Sequence, residues 1–386
     1  MCKKILIYTT SDNGHHLEYI HHLHESAAVA SNQRAFVFVV PIGMKEKGRM
    51  LHWTEASHIS FRYLSEDECN PGNGWKGNYK RAVAVLKIVK ELRPDDVVFI
   101  TLMAFMPFLA LLPSYGVKYS GIIYSIYLYH REGMSWMTKA KNSFVYYLLG
   151  HLKRFSRIFI LNDEDSTCEL NRMWKTQKFV YLPDPVAIPD IKDSLKRPEQ
   201  LPDKNEKTIF LHAGGMDERK GTMTIFDIIS RLSTEQKEKM CFVFAGVVTQ
   251  SIRDIFYSEY TRLKDECEII VFDEFCSFEL LTALCKYSSY LLLPYKNTTM
   301  SSGVIAYGAY CNTPVIVPNS GLLGKLVRHY QMGICIDGDN FEKSFLDKVN
   351  DLCSNRNPSN SDYVITHSVE SFSRVILLND NEKMKN

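Results

Sequence analysis

The sequence predicts an α/β protein made of two doubly wound domains in tandem. Short β-branched and aromatic runs alternate with helical patterns along nearly the whole chain, which is typical of parallel sheets covered by helices on both faces. The alternation is interrupted at 188–207, a segment rich in proline and charge and poor in apolar residues. The chain has 386 residues, a length that exceeds the usual size of one domain. Of these residues 45% are hydrophobic, enough to bury a substantial core. We therefore expect two domains joined by that segment.

The predicted strands form two sets, one on each side of the interruption. Those of the first half are ILIYTT, AFVFVV, VVFITL, GIIYSIYL, RIFILN and FVYLP. Those of the second half are TIFLHAGG, CFVFAG, EIIVFD, YLLLPY, TPVIVP and GICID. From these patterns we predict an N-terminal domain over 1–187, a linker over 188–207, a second domain over 208–362, and a C-terminal helix with a polar tail over 363–386.

Composition narrows the setting of the protein. The net charge of +2 indicates no polyanionic partner and disfavours nucleic acid. The ten cysteines include no CxxC pair, which suits a reducing cytoplasm. The N-terminus leads directly into a strand pattern without the features of a signal peptide. The most apolar window, 97–112, is too short for a membrane span and contains Pro107, so we interpret it as a buried strand that runs into a helix.

Asp12–Glu25 holds five histidines, which raises the question of a metal site, a catalytic site or simply a helix start. The stretch follows the first predicted strand, so Gly14 and His15 lie at a strand-to-helix turn and are site candidates. Only His21 and His24 have the i,i+3 spacing of paired ligands on one helix face, without an evident acidic partner. We therefore predict no metal site and interpret the later histidines of the stretch as helix-face residues.

Ligands of open parallel sheets bind beyond the carboxyl ends of the strands, so the loops that follow strands are the first candidates for a binding site. In TIFLHAGGMDERKGTMTIFDII, a strand ends at the pair Gly214–Gly215, and a turn with Arg219 and Lys220 opens a helix. Glycine lets backbone N–H groups approach an anion, the helix N-terminus attracts it, and Lys220 adds a full charge. The pattern predicts a phosphate site.

A second loop of the same kind follows the strand YLLLPY. It continues as KNTTMSSGVIAYG, in which Ser301, Ser302 and Gly303 stand at a helix start and offer further donors to an anion. Two such loops in one domain could hold a diphosphate. The alternative, which spacing alone leaves open, is that both loops contain only turn and cap residues.

These residues also carry a resemblance. The segments AGGMDERKG, LLLPYKNTTMSSGVIAYGAYCNTPVIVP and SGLLGKLVRHYQMGICIDGDN resemble, in order and spacing, the donor-binding domain of the retaining glycosyltransferases of family 4. The similarity covers almost all of Lys207–Ser354 and is weaker over the first half. It implies the GT-B fold, in which two Rossmann-like doubly wound domains face each other across a cleft and a C-terminal helix returns to the first domain.

The sequence departs from the family pattern at charged positions. The phosphate-binding arginine of the family falls on Gly215, and its two glutamates fall on Thr299 and Tyr307. Arg219 is a candidate to replace the missing guanidinium. A subset of similar enzymes has a Ser-Gly-Val turn in this loop, which the sequence SSGV, ending at Val304, matches.

The resemblance also assigns residues. His130 and Glu132 follow a predicted strand that ends at Tyr129-His130-Arg131, where similar enzymes carry a cleft histidine near the transferring sugar; a histidine satisfied within a loop is the alternative. Asp273 and Glu274 are either nucleotide contacts or part of a solvated turn. His130 and Lys220 are the predicted catalytic residues. The predicted donor-binding residues are Gly14, His15, Gly214, Gly215, Arg219, Lys220, Asp273, Glu274, Thr299, Ser301, Ser302, Gly303, Val304 and Tyr307.

By resemblance, the function is metal-independent, retaining hexosyl transfer without a cofactor. A sugar would move from a UDP- or GDP-linked donor to a hydroxyl of a saccharide or lipid-linked saccharide, as in surface polysaccharide synthesis. A sugar-nucleotide epimerase and a non-enzymatic relative that binds a nucleotide sugar or a partner remain alternatives. Two basic amphipathic stretches, KGNYKRAVAVLKIVKELRP and MTKAKNSFVYYLLGHLKRFSRI, are candidates for peripheral contact with the inner face of a membrane, or are helices with a solvated basic face.

Overall fold

The computed structural model describes residues 3–12, 15–29, 34–130, 133–188, 191–354 and 362–377. The chain divides into two compact units. Unit 1 comprises the described residues of Met1–Pro185 and Val369–Asn386, and unit 2 comprises those of Val186–Ser368. Each unit is built on one parallel sheet, which confirms the predicted fold class of two doubly wound α/β domains.

Unit 1 contains a sheet with the strand order β3-β2-β1-β4-β5-β6-β7. Its strands are β1 Lys3–Tyr8, β2 Arg34–Pro41, β3 Ile59–Leu64, β4 Asp96–Phe99, β5 Lys118–Ile123, β6 Phe155–Leu161 and β7 Phe179–Leu182. Its helices are α1 His15–Val29, α2 Met44–Met50, α3 Glu66–Cys69, α4 Gly74–Leu92, α5 Phe108–Leu111, α6 Trp136–His151, α7 Glu164–Trp174 and α16 Val369–Leu377. Short 3₁₀ helices occupy Met103–Phe105 and Tyr127–His130.

Unit 2 contains a sheet with the order β10-β9-β8-β11-β12-β13. Its strands are β8 Thr208–Ala213, β9 Met240–Ala245, β10 Glu268–Phe272, β11 Tyr290–Leu292, β12 Val315–Pro318 and β13 Gly333–Ile336. Its helices are α8 Thr222–Arg231, α9 Thr234–Glu238, α10 Arg253–Leu263, α11 Phe278–Tyr287, α12 Val304–Cys311, α13 Gly321–His329, α14 Phe341–Ser354 and α15 Asp362–Thr366, and a 3₁₀ helix spans Lys192–Ser194.

The apolar runs form strands because both faces of each sheet are covered. In β1, Leu6 and Tyr8 belong to one core cluster, whereas Ile5 and Ile7 belong to the cluster on the other face. Successive side chains of a strand point to opposite faces, so a strand buried on both faces has a continuous hydrophobic sequence. Apolar runs therefore predict all the interior strands and also the edge strands β7, β10 and β13.

Two details of the sequence prediction are wrong. Strand β3 was not predicted, because this edge strand interrupts its apolar residues with Ser60 and Arg62. The strand expected to end at His130 ends at Ile123, whose partner on β6 is Ile160, and the chain then forms the 3₁₀ helix Tyr127–His130. The predicted strand and helix over 97–112 correspond to β4 and α5. Within the described ranges, no helix combines the length and hydrophobicity needed to cross a bilayer.

Helix α16 completes unit 1 from the far end of the chain. Phe372 packs on Tyr19 of α1, with ring centroids 4.7 Å apart. The guanidinium of Arg157 donates hydrogen bonds of 2.7 and 2.9 Å to the carbonyls of Val375 and Ile376, and Arg34 donates to that of Leu377. The last carbonyls of a helix have no partner within it and favour cations. The two arginines therefore fasten the end of α16 to strands β2 and β6 of unit 1.

Candidate functional site

The loop after β8 folds its lysine back over its glycines. Asp217 accepts a 2.7 Å hydrogen bond from the backbone N–H of Lys220, which closes a turn just before α8. Gly214 has a φ of +96°, and a Cβ at this position would lie 2.4 Å from the Nζ atom of Lys220. The loop therefore places an ammonium group directly beside the backbone at the carboxyl end of β8.

Lys220 is partly withdrawn from solvent. Burial, together with the neighbouring charge of Arg219, lowers the pKa of Lys220 to about 8, against the opposing effect of Asp217. Its Nζ atom lies 5.6 Å from the ring centroid of Tyr295. Among the described residues no carboxylate forms an ion pair with Lys220, whereas Arg219 lies 3.6 Å from Asp217. The lysine charge is thus available to an anionic ligand.

The loop after β11 meets this first loop. The hydroxyl of Tyr295 lies 3.0 Å from that of Ser302, and the backbone N–H of Lys296 donates a 2.9 Å hydrogen bond to the carbonyl of Arg219. Val304 lies 3.4 Å from the position that a Cβ on Gly214 would take. Because β8 lies between β9 and β11, these two loops flank the point where the strand order reverses, the usual ligand position in such sheets.

Two helices begin at this junction without a side-chain cap. Gly221 precedes α8 and Gly303 precedes α12, and neither helix has a capping side chain. The first N–H groups of a helix lack intrahelical partners and carry its positive dipole end. Both helix starts, together with Lys220, can therefore stabilise negative charge at one place.

An apolar cavity of about 450 Å³ adjoins the glycine loop. Gly246, with a φ of +139°, lets the loop after β9 approach the carbonyl of Gly214 so closely that an added Cβ would lie 2.1 Å from that oxygen. The exposed rings of Phe275 and Phe278 stand at the cavity. The lining residues are Gly214, Gly215, Ala245, Gly246, Val247, Phe275, Cys276, Ser277, Phe278, Glu279, Leu281 and Tyr307. The cavity and the cationic junction share Gly214.

The remaining candidates for donor binding lie between β11 and the end of α12, where Thr299, Ser301 and Ser302 are in the loop and Tyr307 is on the helix. Thr299 donates from its backbone N–H and its hydroxyl to the side-chain oxygen of Asn297, at 3.0 and 2.7 Å. Ser301 is half-buried and Ser302 is buried. Thr299 therefore holds the loop, and Tyr307 lines the cavity.

Asp273 positions the loop after β9, part of which lines the cavity. Burial alone would raise the pKa of Asp273, but hydrogen bonds from the backbone of Val248, from Tyr257 and from Arg253, at 2.6–2.8 Å, lower it. These bonds fix the loop after β9. Glu274 is exposed, and it is not among the residues that line the cavity. The carboxylate of Asp273 therefore accepts its hydrogen bonds from other residues of unit 2.

His212 is a site residue that the sequence did not reveal. This buried histidine of β8 has its Nδ1 atom 3.0 Å from the carbonyl of Leu292 and its Nε2 atom 3.0 Å from the hydroxyl of Thr222. Burial lowers its pKa to about 4, so the ring is neutral. A carbonyl only accepts, so Nδ1 donates to Leu292 and Nε2 accepts from Thr222. His212 thereby ties β8 and β11 to the start of α8.

In unit 1, the histidine stretch begins α1 as predicted. His15 starts the helix with its Nδ1 atom 3.5 Å from Glu18, whose hydrogen bond raises the pKa of His15. The neighbouring His16, which was not predicted, lies 2.7 Å from the hydroxyl of Thr9 and 3.3 Å from that of Thr101, at the ends of β1 and β4. Burial lowers the pKa of His16 to about 4. This neutral histidine therefore lies between the ends of β1 and β4, where the strand order of unit 1 reverses.

The other unit 1 candidates are less defined. Gly14, Arg131 and Glu132 lie outside the described residues, as does the side chain of His130. His22 and His24 are buried on α1, and His24 lies 3.0 Å from the carbonyl of Thr54. In the described part of the chain, no three histidine, cysteine or acidic side chains are grouped to hold a metal ion.

Comparisons with known proteins bear on the fold. No protein-family model matches the sequence, and no curated protein is significantly similar to it. Solved structures do match over nearly the full length. The structure of WaaG, a glycosyltransferase involved in lipopolysaccharide biosynthesis, is 13% identical, with a TM-score of 0.64, and the match covers 97% of this chain and 100% of WaaG.

Two further structures match equally broadly. HepE from Anabaena in complex with UDP-glucose is 13% identical, with coverage of 97% of this chain and 98% of HepE and a TM-score of 0.64. UDP-GlcNAc 2-epimerase from Methanocaldococcus jannaschii is 13% identical, with coverage of 97% and 98% and a TM-score of 0.58. At these identities the likeness establishes the fold: each unit of the chain has the Rossmann-like architecture of GT-B glycosyltransferase structures.

Proposed function

We propose that the chain is a glycosyltransferase that binds a nucleoside-diphosphate sugar in unit 2 and transfers the sugar to a hydroxyl of a saccharide or lipid-linked saccharide, with retention of anomeric configuration. One observation carries the proposal. Lys220 and the uncapped starts of α8 and α12 converge beside Gly214, at the reversal of strand order and next to a cavity of about 450 Å³. The junction suits a diphosphate, and the cavity suits the base.

The chemistry needs stabilisation of a leaving group. As the glycosidic bond breaks, the nucleoside diphosphate gains negative charge, which Lys220 and the two helix dipoles would stabilise without a divalent cation. Arg219 would supply a second cation in place of the family's phosphate-binding arginine, whose position Gly215 occupies here. The acceptor hydroxyl would attack from the face that the diphosphate leaves, and the diphosphate would take its proton. His130 would position the sugar.

The two alternatives have different weight. A nucleotide-sugar epimerase shares the fold, so the fold alone does not separate the two activities. A binding protein without catalysis is favoured by the uncharged residues Gly215, Thr299 and Tyr307. Product analysis separates these cases, since transfer yields a glycoside of the acceptor, epimerisation yields an altered sugar without any acceptor, and a binding protein yields neither.

Selective binding of one nucleoside diphosphate is the expected result of a thermal-shift screen with UDP, GDP and ADP, each with and without EDTA. We expect UDP to raise the melting temperature most, by analogy with the UDP-glucose complex of HepE. A ligand at a hundred times its dissociation constant stabilises by about 2.7 kcal/mol. The shift should persist in EDTA. Equal shifts with all three diphosphates, or none, would contradict a built donor site.

Donor binding should weaken above pH 8. Lys220 must be protonated to attract the diphosphate, and in the free protein its pKa is lowered to about 8. A bound diphosphate raises that pKa, so binding is coupled to proton uptake above pH 8. We expect the dissociation constant of UDP to increase on the order of tenfold between pH 7.5 and pH 9.5, measured by calorimetry.

Lys220→Arg is the matched control for this pH dependence. A guanidinium keeps its proton throughout this range, so the dissociation constant of the variant should change little with pH. A wild-type profile as flat as that of the arginine variant would show that Lys220 does not meet the diphosphate.

A further inference from the structure

One face of unit 1 combines exposed aromatic side chains with lysines. On α6, Trp136 is 76% exposed, Met137 63% and Phe144 51%. At 100° per residue, Trp136, Ala140, Phe144 and Tyr147 form a stripe along the helix, with Met137 and Lys141 at its side. A helix on a protein surface normally turns such a stripe towards the core. Here the core side is occupied separately by Val145, Tyr146 and Leu149.

The stripe continues onto α4 and α5. The Nζ atom of Lys141 lies 5.4 Å from the ring centroid of Trp75, which is 58% exposed. The rings of Trp75 and Tyr79 each contact Phe108 of α5 edge to face, at 5.7 and 5.4 Å. We call the surface formed by Trp75, Trp136, Met137, Lys141 and Phe144 the aromatic–basic face. Its helices all belong to unit 1, and the contact between Lys141 and Trp75 joins α6 to α4.

Charge distinguishes this face from an ordinary apolar patch. The α6 sequence has two lysines, Lys139 and Lys141, and no acidic residue. In α4, exposed Lys76 follows Trp75, and the only acidic residue is Glu91, at the opposite end. Asp67 and Glu68 of α3 line a groove with Tyr79, Lys80 and Lys87 of α4. Along α6 and in the first turn of α4, the exposed aromatic side chains therefore have lysines and no acidic residue beside them in sequence, although the chain as a whole is nearly neutral.

We propose that the aromatic–basic face docks on a bilayer that contains anionic phospholipid. Tryptophan and tyrosine prefer the boundary between lipid headgroups and acyl chains, where one edge of the ring is apolar and the other polar. Lysines next to them are attracted by the negative surface potential, and an amphipathic helix with this composition lies in the plane of the interface. The proposed binding is peripheral, on the surface of the bilayer, and no segment crosses it. Only its use for reaching a lipid-linked acceptor rests on the proposed transferase function.

Vesicle flotation of the full chain tests the proposal without any donor. At low salt we expect the protein to float with vesicles of phosphatidylcholine and roughly 30% phosphatidylglycerol, and much less with phosphatidylcholine alone. Trp136→Ser/Met137→Ser/Phe144→Ser should weaken the partition coefficient at least about tenfold, because it removes the inserted area. Lys139→Glu/Lys141→Glu should weaken it by about 25-fold or more, from about fivefold per charge.

The control replaces apolar residues that are equally exposed elsewhere. Met50 ends α2 and Ile255 lies on α10, so Met50→Ser/Ile255→Ser should float like the wild type. Each variant should keep the wild-type melting temperature, which excludes unfolding. The proposal is overturned if the wild type does not float with anionic vesicles, or if the triple variant floats equally well. It is also overturned if the triple variant converts a wild-type oligomer to a monomer while vesicles bind neither, which would make the face a self-association surface.

Discussion

Replacing Lys220 by methionine is expected to lower kcat/KM for sugar transfer by about 10²- to 10³-fold, the cost of losing one preorganised group that stabilises charge in a transition state. Methionine is unbranched like lysine and one heavy atom shorter, and it carries no charge. Lys220 lies beside the backbone of Gly214, where the leaving diphosphate would sit, so the loss should appear in kcat as well as in donor binding.

The same substitution should leave the fold intact or slightly more stable. The pKa of Lys220 is about 8 in the folded protein, below its ordinary value of 10.5, so the charged amine costs folding free energy at neutral pH. That cost is full below pH 8 and is relieved as the pH rises towards 10.5, because the unfolded chain binds the proton more tightly. Methionine removes it.

Lys239→Met is the control for charge alone. Lys239 is exposed and pairs with Glu235 on α9, away from the glycine loop. Steady-state kinetics of the two variants, with melting curves for both, distinguish a local from a general effect of charge. If Lys220→Met retained the activity of Lys239→Met, the phosphate role of Lys220 would be wrong.

The second large effect is expected at Gly221. Its φ is +70°, and a Cβ at this position would lie 1.9 Å from the carbonyl oxygen of Pro294. Gly221→Ala therefore combines a strained backbone with a clash between the loops after β8 and β11. Left-handed strain costs about 1–3 kcal/mol and overpacking about as much, so we expect the free energy of unfolding of unit 2 to fall by about 2–6 kcal/mol.

Gly215→Ala is the matched substitution six residues earlier. Gly215 is exposed, and a Cβ there would meet nothing within 4 Å, so its effect on stability should be within about 0.5 kcal/mol. Denaturant unfolding of the two variants gives the comparison. Equal unfolding midpoints would mean that the loops after β8 and β11 are not held together through Gly221.

The sequence predicted what depends on local pattern. Buried strands have continuous apolar runs, so the interior strands of both sheets followed from the sequence pattern, whereas the edge strand β3 interrupts its apolar residues with exposed Ser60 and half-buried Arg62 and was missed. Likewise, Gly214 and Lys220 predict an anion-binding loop, because glycine, lysine and a helix start are close together in the sequence. The convergence of this loop with Ser302 and Val304 was suggested by the position of both loops after strands.

The residues that organise the site were harder to predict, because their partners are distant in sequence. His212 looked like one more residue of an apolar strand, and its role depends on Leu292, eighty positions away. His16 depends on Thr101 in the same way. Asp273 looked like a ligand contact, but Arg253 and Tyr257 of the preceding helix engage it. For the two histidines, the order of the strands in the sheet, rather than their order in the chain, determines the contact.

The attachment of α16 has a consequence for biosynthesis. Unit 1 is assembled from both ends of the described chain, because Phe372 packs on Tyr19 and Arg157 holds the end of α16, whereas unit 2 is a contiguous segment. A ribosome therefore releases all of unit 2 before it releases the last helix of unit 1. The N-terminal sheet must wait, with the α16 side of α1 uncovered, while about half of the 386-residue chain is still being translated. During that interval, the apolar surface around Tyr19 is the part of the nascent chain that chaperones would have most reason to shield.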